Sequence, residues 1–132
     1  MQWDSSKNLG FSSADESMLY LPVDKSADAP TVENNKGVEG SIYENLKTLI
    51  KLRHDNAELR NDSDFELVHA KKGDNLLVYR RGDFLIVFNV ADEERQLHLN
   101  TDGVNVIYSL GDYEFDGENM ILNGKNAVII KA

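Results

Sequence analysis

The chain has 132 residues, enough for one domain of ordinary size, and its hydrophobic share of 41% allows a real core. Its net charge of −9 repels phosphate and so argues against nucleic acid and anionic membranes as partners, while the lack of cysteine excludes disulfides and thiolate metal sites. The opening MQWDSSKN has neither a basic nor an apolar leader region, and no apolar run approaches the ~18 residues of a membrane span, so the expected location is cytoplasmic.

Residues 1–39 read as irregular, surface-following chain. Both prolines, Pro22 and Pro30, sit here, and the apolar residues come as short islands: Trp3, Leu9 with Phe11, and Leu19-Tyr20-Leu21-Pro22-Val23. Such islands are too short for a core and read as anchors that lie on something larger. Residues 24–40 are nearly free of apolar side chains, and the composition predicts a mobile stretch.

Residues 40–56 predict the one amphipathic helix. Ser41 followed by Glu44 spells a capping box, in which each side chain satisfies an orphan backbone N–H of the first turn. At 100° per residue, Leu49, Ile42, Leu46, Ile50 and Tyr43 fall in one stripe roughly 120° wide. Fully buried, each such side chain contributes roughly 1.5–3 kcal/mol, so Leu46, Leu49 and Ile50 are expected to be covered. Two routes would cover them: the stripe turns onto the following domain with Trp3, Phe11 or residues 19–21 folding back, or two chains pair helix on helix as a homodimer. Arg53 falls inside the stripe and is expected to clamp a carboxylate or backbone carbonyls.

Residues 57–132 predict strands with turn signals every ten or so residues. Residues 65–69, 76–79, 84–90, 95–100 and 104–110 each read as a strand, with a turn at Thr101-Asp102-Gly103. Residues 76–79 and 84–90 are apolar on both faces, as in central strands covered on both sides. Leu97 and Leu99 alternate with Gln96 and His98, which marks a half-buried strand. Residues 120–122 and 127–130 predict a terminal hairpin across Asn123-Gly124, because a type I′ turn needs positive φ twice. The fold class expected is mainly β: an antiparallel sandwich of Greek-key or jelly-roll type, with about six or seven strands, behind one helix and an irregular N-terminal segment.

Candidate chemistry is sparse. His54, His69 and His98 have no ligand-like spacing, and no metal or cofactor is expected. Residues 112–117, DYEFDG, half-resemble the start of a calcium loop, but position 12 would be Asn123 where a bidentate Glu is needed, so they read as a plain acidic loop. Asp4, Asp15, Glu16, Asp24 and Asp28 could pair for acid–base work only on a rigid scaffold, which the irregular chain does not promise. No catalytic residue is expected.

The opening Met1-Gln2-Trp3-Asp4-Ser5-Ser6-Lys7-Asn8-Leu9-Gly10-Phe11 resembles a segment of the α-amylase superfamily, glycoside hydrolase family 13, most closely its α-glucosidase, oligo-1,6-glucosidase and trehalose-processing branches. There, Met-Gln-Trp-Asp with a following Gly-Phe comes after the last catalytic motif. Residues 19–24 resemble the family's W-L-P-V segment, residues 46–53 with Ala57-Glu58-Leu59 its last barrel helix, and residues 85–90 the L-V-V-x-N-F strand of its C-terminal domain. The Arg-Thr-Pro that usually precedes Met-Gln-Trp is missing. His54-Asp55-Asn56 lacks the Asn of the family's Asn-His-Asp motif and reads as a helix end.

The resemblance implies a piece of a larger enzyme. Residues 1–39 correspond to the loop after the last barrel strand, 40–56 to the last barrel helix, and 57–132 to the β-sandwich domain. The nucleophile Asp, the acid/base Glu and the second Asp lie on earlier strands that this sequence lacks. The implied function is a non-catalytic C-terminal fragment of a glycosidase or transglycosylase acting on α-glucosidic linkages, with Trp3 and Asp4 near the substrate in a full-length parent. An α-glucan or oligosaccharide is then a partner only in that parent. Two alternatives stay open. One is an independent carbohydrate-binding sandwich with Tyr79, Tyr108, Tyr113 and Phe115 as its candidate platforms; the other is an accessory subunit completing a separate barrel chain.

Overall fold

A computed structural model describes residues 1–100 and 103–131 and divides into two compact units, Met1–Leu52 and Arg53–Ala132. The first unit holds a left-handed turn at Lys7–Gly10, a 3₁₀ turn at Glu16–Met18, a short helix α1 (Val32–Asn35) and most of helix α2 (Ile42–Asp55). Residues 24–40, for which composition predicts mobility, contain α1 and several hydrogen bonds to distant residues. Thr31 caps α1 through Asn34 N–H at 3.1 Å, and Ala29 and Thr31 are buried. Gln2 explains this order: its amide donates to Pro30 O (3.2 Å) and accepts from Asp24 N–H (2.9 Å), while Val32 N–H donates to its carbonyl. Composition alone hides these contacts because they are made to residues far off in sequence.

Helix α2 starts as the sequence implies, but only half of the capping box forms. Ser41 Oγ accepts from Glu44 N–H at 3.2 Å. The Glu44 carboxylate reaches instead to Gly37 N–H (2.8 Å), and Ser41 N–H is satisfied by Val38 O (3.1 Å). The chain before the helix folds back on itself, so Val38 O takes the Ser41 N–H and the glutamate serves Gly37 instead. The apolar stripe is not covered: Ile42, Leu46 and Ile50 are 79%, 56% and 49% exposed, Leu49 is half-buried, and no helix residue is buried. Nor do the expected cover residues sink inward, since Phe11 and Tyr20 are exposed as well.

The second unit begins at the end of α2 with a 3₁₀ turn, Ala57–Leu59. Arg53 is exposed and donates to the side-chain oxygen of Asn61, a neutral amide rather than the carboxylate or carbonyls expected. Eight strands follow: β1 (Glu66–Ala70), β2 (Leu76–Arg81), β3 (Phe84–Asn89), β4 (Arg95–His98), β5 (Asn105–Leu110), β6 (Tyr113–Asp116), β7 (Asn119–Leu122) and β8 (Asn126–Lys131). They form two antiparallel sheets, ordered β1-β2-β3-β8-β5 and β4-β7-β6. The turn expected at Thr101-Asp102 lies outside the described residues.

Between the sheets lies one core. Leu76, Val78, Leu85 and Val87 meet Val128 and Ile130 from the first sheet, and Met120 and Leu122 from the second. The buried side chains alternate along β2, β7 and β8, as the pleat requires. Leu97 packs against this core while Gln96 and His98 face solvent. Strand β3 is covered on both faces, but β2 is not: Leu77 is exposed and Tyr79 half-buried.

The expected terminal hairpin does not form. Strand β7 pairs with β4 and β6, whereas β8 pairs with β3 and β5, so residues 123–125 carry the chain from one sheet to the other. Gly124 is needed here for close approach rather than for a type I′ turn: a Cβ on it would overlap the Asp92 carbonyl. Lys125 N–H donates to Ala91 O at 2.8 Å and Asn123 N–H to Asp112 O at 3.2 Å, which pins the crossover on both sides. The true partner of β7 comes from the stretch read as an acidic loop. Its Tyr113 and Phe115 face Leu122 and Met120, and the turn at Gly117-Glu118 joins the two strands. Alternation of large aromatics with Glu114 and Asp116 is a strand signal that the acidic composition masked.

A buried asparagine holds the sheets together at this end. Asn89 of β3 directs its amide to Leu122 O (3.2 Å), Asn123 O (2.9 Å) and Glu93 O (2.9 Å), and its oxygen accepts from Ala91 N–H (3.0 Å). Among the described residues no helix is long and apolar enough to cross a membrane.

Candidate functional site

The N-terminal loop is the part of the first unit with the most unusual backbone. Asn8 and Leu9 adopt left-handed conformations (φ 53° and 54°), and Gly10 follows at φ 68°. For an L residue this region costs roughly 1–2 kcal/mol, so two such residues in succession must be held in place. The holders are polar. The Leu9 carbonyl accepts from Trp3 N–H at 2.8 Å, and the Asn8 amide donates to Ser12 O (2.8 Å) and Ala14 O (2.9 Å). Asp4 lies directly against Gly10, where a Cβ would come within 2.7 Å of its carboxylate. Trp3 O accepts from Glu33 N–H (2.8 Å), and the Glu33 carboxylate accepts from Ser5 N–H (3.1 Å).

The motif residues divide into two groups. Gln2, Asp4, Asn8 and Gly10 are used up by the loop's own architecture. Trp3 and Phe11 are presented outward, 47% and 56% exposed. Beside Phe11 is an open concavity of about 390 Å³ lined by Ser6, Lys7, Gly10, Ser12 and Ser13.

Three of the five candidate carboxylates are turn formers. Asp4 accepts from Ser6 N–H (2.8 Å) and Oγ (2.5 Å), Asp15 from the same two groups of Ser17 (3.0 and 2.7 Å), and Asp24 from those of Ser26 (3.0 and 2.6 Å). The seryl hydroxyl, then the backbone N–H, holds each carboxyl below its ordinary value. An ionised acid serving its own turn is poorly suited to shuttle protons. The Asp-x-Ser spacing, repeated at residues 4, 15 and 24, is the signal that would have found them. Glu16 instead pairs with Lys25.

The other candidates are dispersed. His69 Nε2 lies 2.5 Å from Asp74 Oδ2, and His98 lies 3.9 Å from Glu118. The His54 carbonyl accepts from Arg60 at 3.2 Å. Among the described residues no three His, Asp or Glu side chains gather as a metal site. Of the four aromatic platforms considered, Tyr79 stacks between Phe65 (5.2 Å) and Phe88 (6.3 Å). Tyr113 packs on the core with Phe115 edge-on at 5.7 Å, and burial pushes the Tyr108 hydroxyl up. Of the four, only Phe115 is exposed, at 41%.

The described residues form an eight-stranded β-sandwich, preceded in the chain by an amphipathic helix and a pinned loop that carries two exposed aromatics. No family model matches the chain. In sequence it is similar to a glucan 1,6-alpha-glucosidase of Streptococcus pneumoniae serotype 4, 34% identical over 101 residues, which are 74% of this chain and 18% of that relative. A glucan 1,6-alpha-glucosidase of Streptococcus dysgalactiae subsp. equisimilis is 29% identical over 135 residues, 99% of this chain and 24% of the relative. In fold it is similar to trehalulose synthase MutB from Pseudomonas mesoacidophila MX-45, with a TM-score of 0.81 and 22% identity over 98% of this chain and 24% of that one. The chain therefore spans only about a fifth to a quarter of the proteins it matches. It is homologous to α-glucosidases and matches the C-terminal part of α-amylase-superfamily enzymes, glycoside hydrolase family 13.

Proposed function

We propose that this chain is the non-catalytic C-terminal part of an α-amylase-family enzyme acting on α-glucosidic linkages. The observation that carries this reading is the match of 74% of the chain to only 18% of a glucan 1,6-alpha-glucosidase. Two features support it. The acids of the N-terminal segment that sequence reasoning singled out include three spent on Asp-x-Ser turns. The exposed stripe of Leu46 and Ile50 on α2 suits a helix made to lie against further protein. In this reading residues 1–39 are the loop at the rim of a barrel, 40–56 its last helix and 57–132 the accompanying sandwich. Trp3 then stands near the substrate, and Asp4 acts by shaping the loop that carries it.

The test is release of p-nitrophenol from p-nitrophenyl α-glucoside by the purified chain. No release above a matched blank is expected. Release that disappears when one Asp or Glu of this chain is replaced overturns the reading.

A further inference from the structure

We propose that the turn around Lys7–Gly10 is a subsite for a gluco-oligosaccharide, in which Phe11 stacks on one glucose unit while Ser6, Ser12, Ser13 and Lys7 bind its hydroxyls. The inference rests on the proposed function for the class of sugar and on the loop's geometry for the site. A pyranose offers a face of C–H groups to an aromatic ring and a rim of hydroxyls to polar neighbours. The concavity beside Phe11 supplies both. Its ring is 56% exposed, and Ser6, Ser12, Ser13 and Lys7 line the same open space of about 390 Å³. The Lys7 ammonium carries three donors and directs one to Ser13 O at 3.2 Å, which holds it over the concavity.

Preorganisation is the second argument. A shallow site binds usefully only when its groups are fixed beforehand, since ordering them on binding consumes affinity. Here Asn8 clamps both Ser12 O and Ala14 O, and Asp4 fixes Ser6 through its backbone and its hydroxyl. Gly10 lets the two halves of the loop close on the Asp4 carboxylate. Asn8, Asp4 and Gly10 are thus positioning residues, and the left-handed strain at Asn8 and Leu9 is spent on presenting Phe11.

The test titrates isomaltotriose into the ¹⁵N-labelled 132-residue chain and follows its amide spectrum. Saturable shifts are expected at Lys7, Phe11, Ser12 and Ser13, with a dissociation constant on the order of 1 mM. Phe11→Ala should weaken binding about tenfold and Phe11→Tyr should retain it, with the sandwich resonances unmoved in both. Asn8→Ala should weaken binding although its side chain lies outside the concavity's lining. No saturable shift, or shifts of equal affinity in Phe11→Ala, overturns the subsite. The p-nitrophenyl α-glucoside assay does not report on this turn, so loss of the subsite leaves the proposed function standing.

Discussion

Replacing Asn89 should cost more stability than any surface change in the chain. Its side chain is almost wholly buried and joins β3 of one sheet to the Leu122 carbonyl on β7 of the other. In Asn89→Ala, Ala91 N–H loses its partner in the interior, while Leu122 O stays in the β4–β7 ladder opposite Arg95 and the carbonyls of Glu93 and Asn123 lie on exposed residues that water reaches. A buried orphan costs about 1–3 kcal/mol, so this one group predicts a loss of roughly 2 kcal/mol. That is a large part of the roughly 5–15 kcal/mol that holds a typical domain together. Asn89→Asp should be worse still at neutral pH, because a buried carboxylate would face carbonyl oxygens. Its pKa in the folded variant must then rise above the unfolded value. The extra deficit is therefore full well above that raised value and shrinks as the pH falls through it toward the unfolded pKa. The assay is urea unfolding followed by far-UV circular dichroism, with the slope compared between variants to confirm that the unfolded states match. If Asn89→Ala unfolds within about 0.5 kcal/mol of the parent, a margin typical of surface changes, the asparagine is no tie between the sheets.

Ser41→Ala should cost about 1 kcal/mol of stability in α2, and Glu44→Ala should leave that cap intact, since Glu44 serves Gly37; a thermal melt of each variant tests this. Asp74 is held below its ordinary value first by the hydrogen bond with His69 and then by Leu76 N–H. Its contribution is present above the unfolded pKa and lost as pH falls through the lower folded one, so the acid limb of the stability curve should flatten in Asp74→Asn; an unchanged limb speaks against the pair. In isolation the chain should self-associate through the exposed stripe of Ile42, Leu46 and Ile50. Sedimentation should then show a dimer that Ile50→Asp returns to monomer, and a monomeric parent refutes the pairing.

Local patterns were legible in the sequence wherever their partners were near in the chain. The Ser41 cap, the alternation of Leu97 with Gln96 and His98, and the apolar run of β3 depend on neighbours within a few residues, and the structure places each as read, whereas β2 is a strand covered on one face only. The opening motif was legible as a family signature, and the division of labour inside it was not. Gln2 works through Asp24 and Pro30, and Asp4 through its contact with Gly10, which no local period reveals. Tertiary structure alone decided the strand partners. Asn123-Gly124 has the composition of a hairpin, but β7 is drawn to β6 and β8 to β3, because burying Leu122 and Val128 from opposite sides of one core requires them on different sheets. Glu44 likewise serves Gly37 N–H rather than Ser41 N–H, which Val38 O already holds. Sequence thus determined that α2 becomes a helix and β1 to β5 strands, since propensity and period act over a few residues, but it did not announce α1 or β6. Which of those segments touch, and which polar groups are left to face a ligand, was decided by the packing of the whole chain, where burial outweighs local preference.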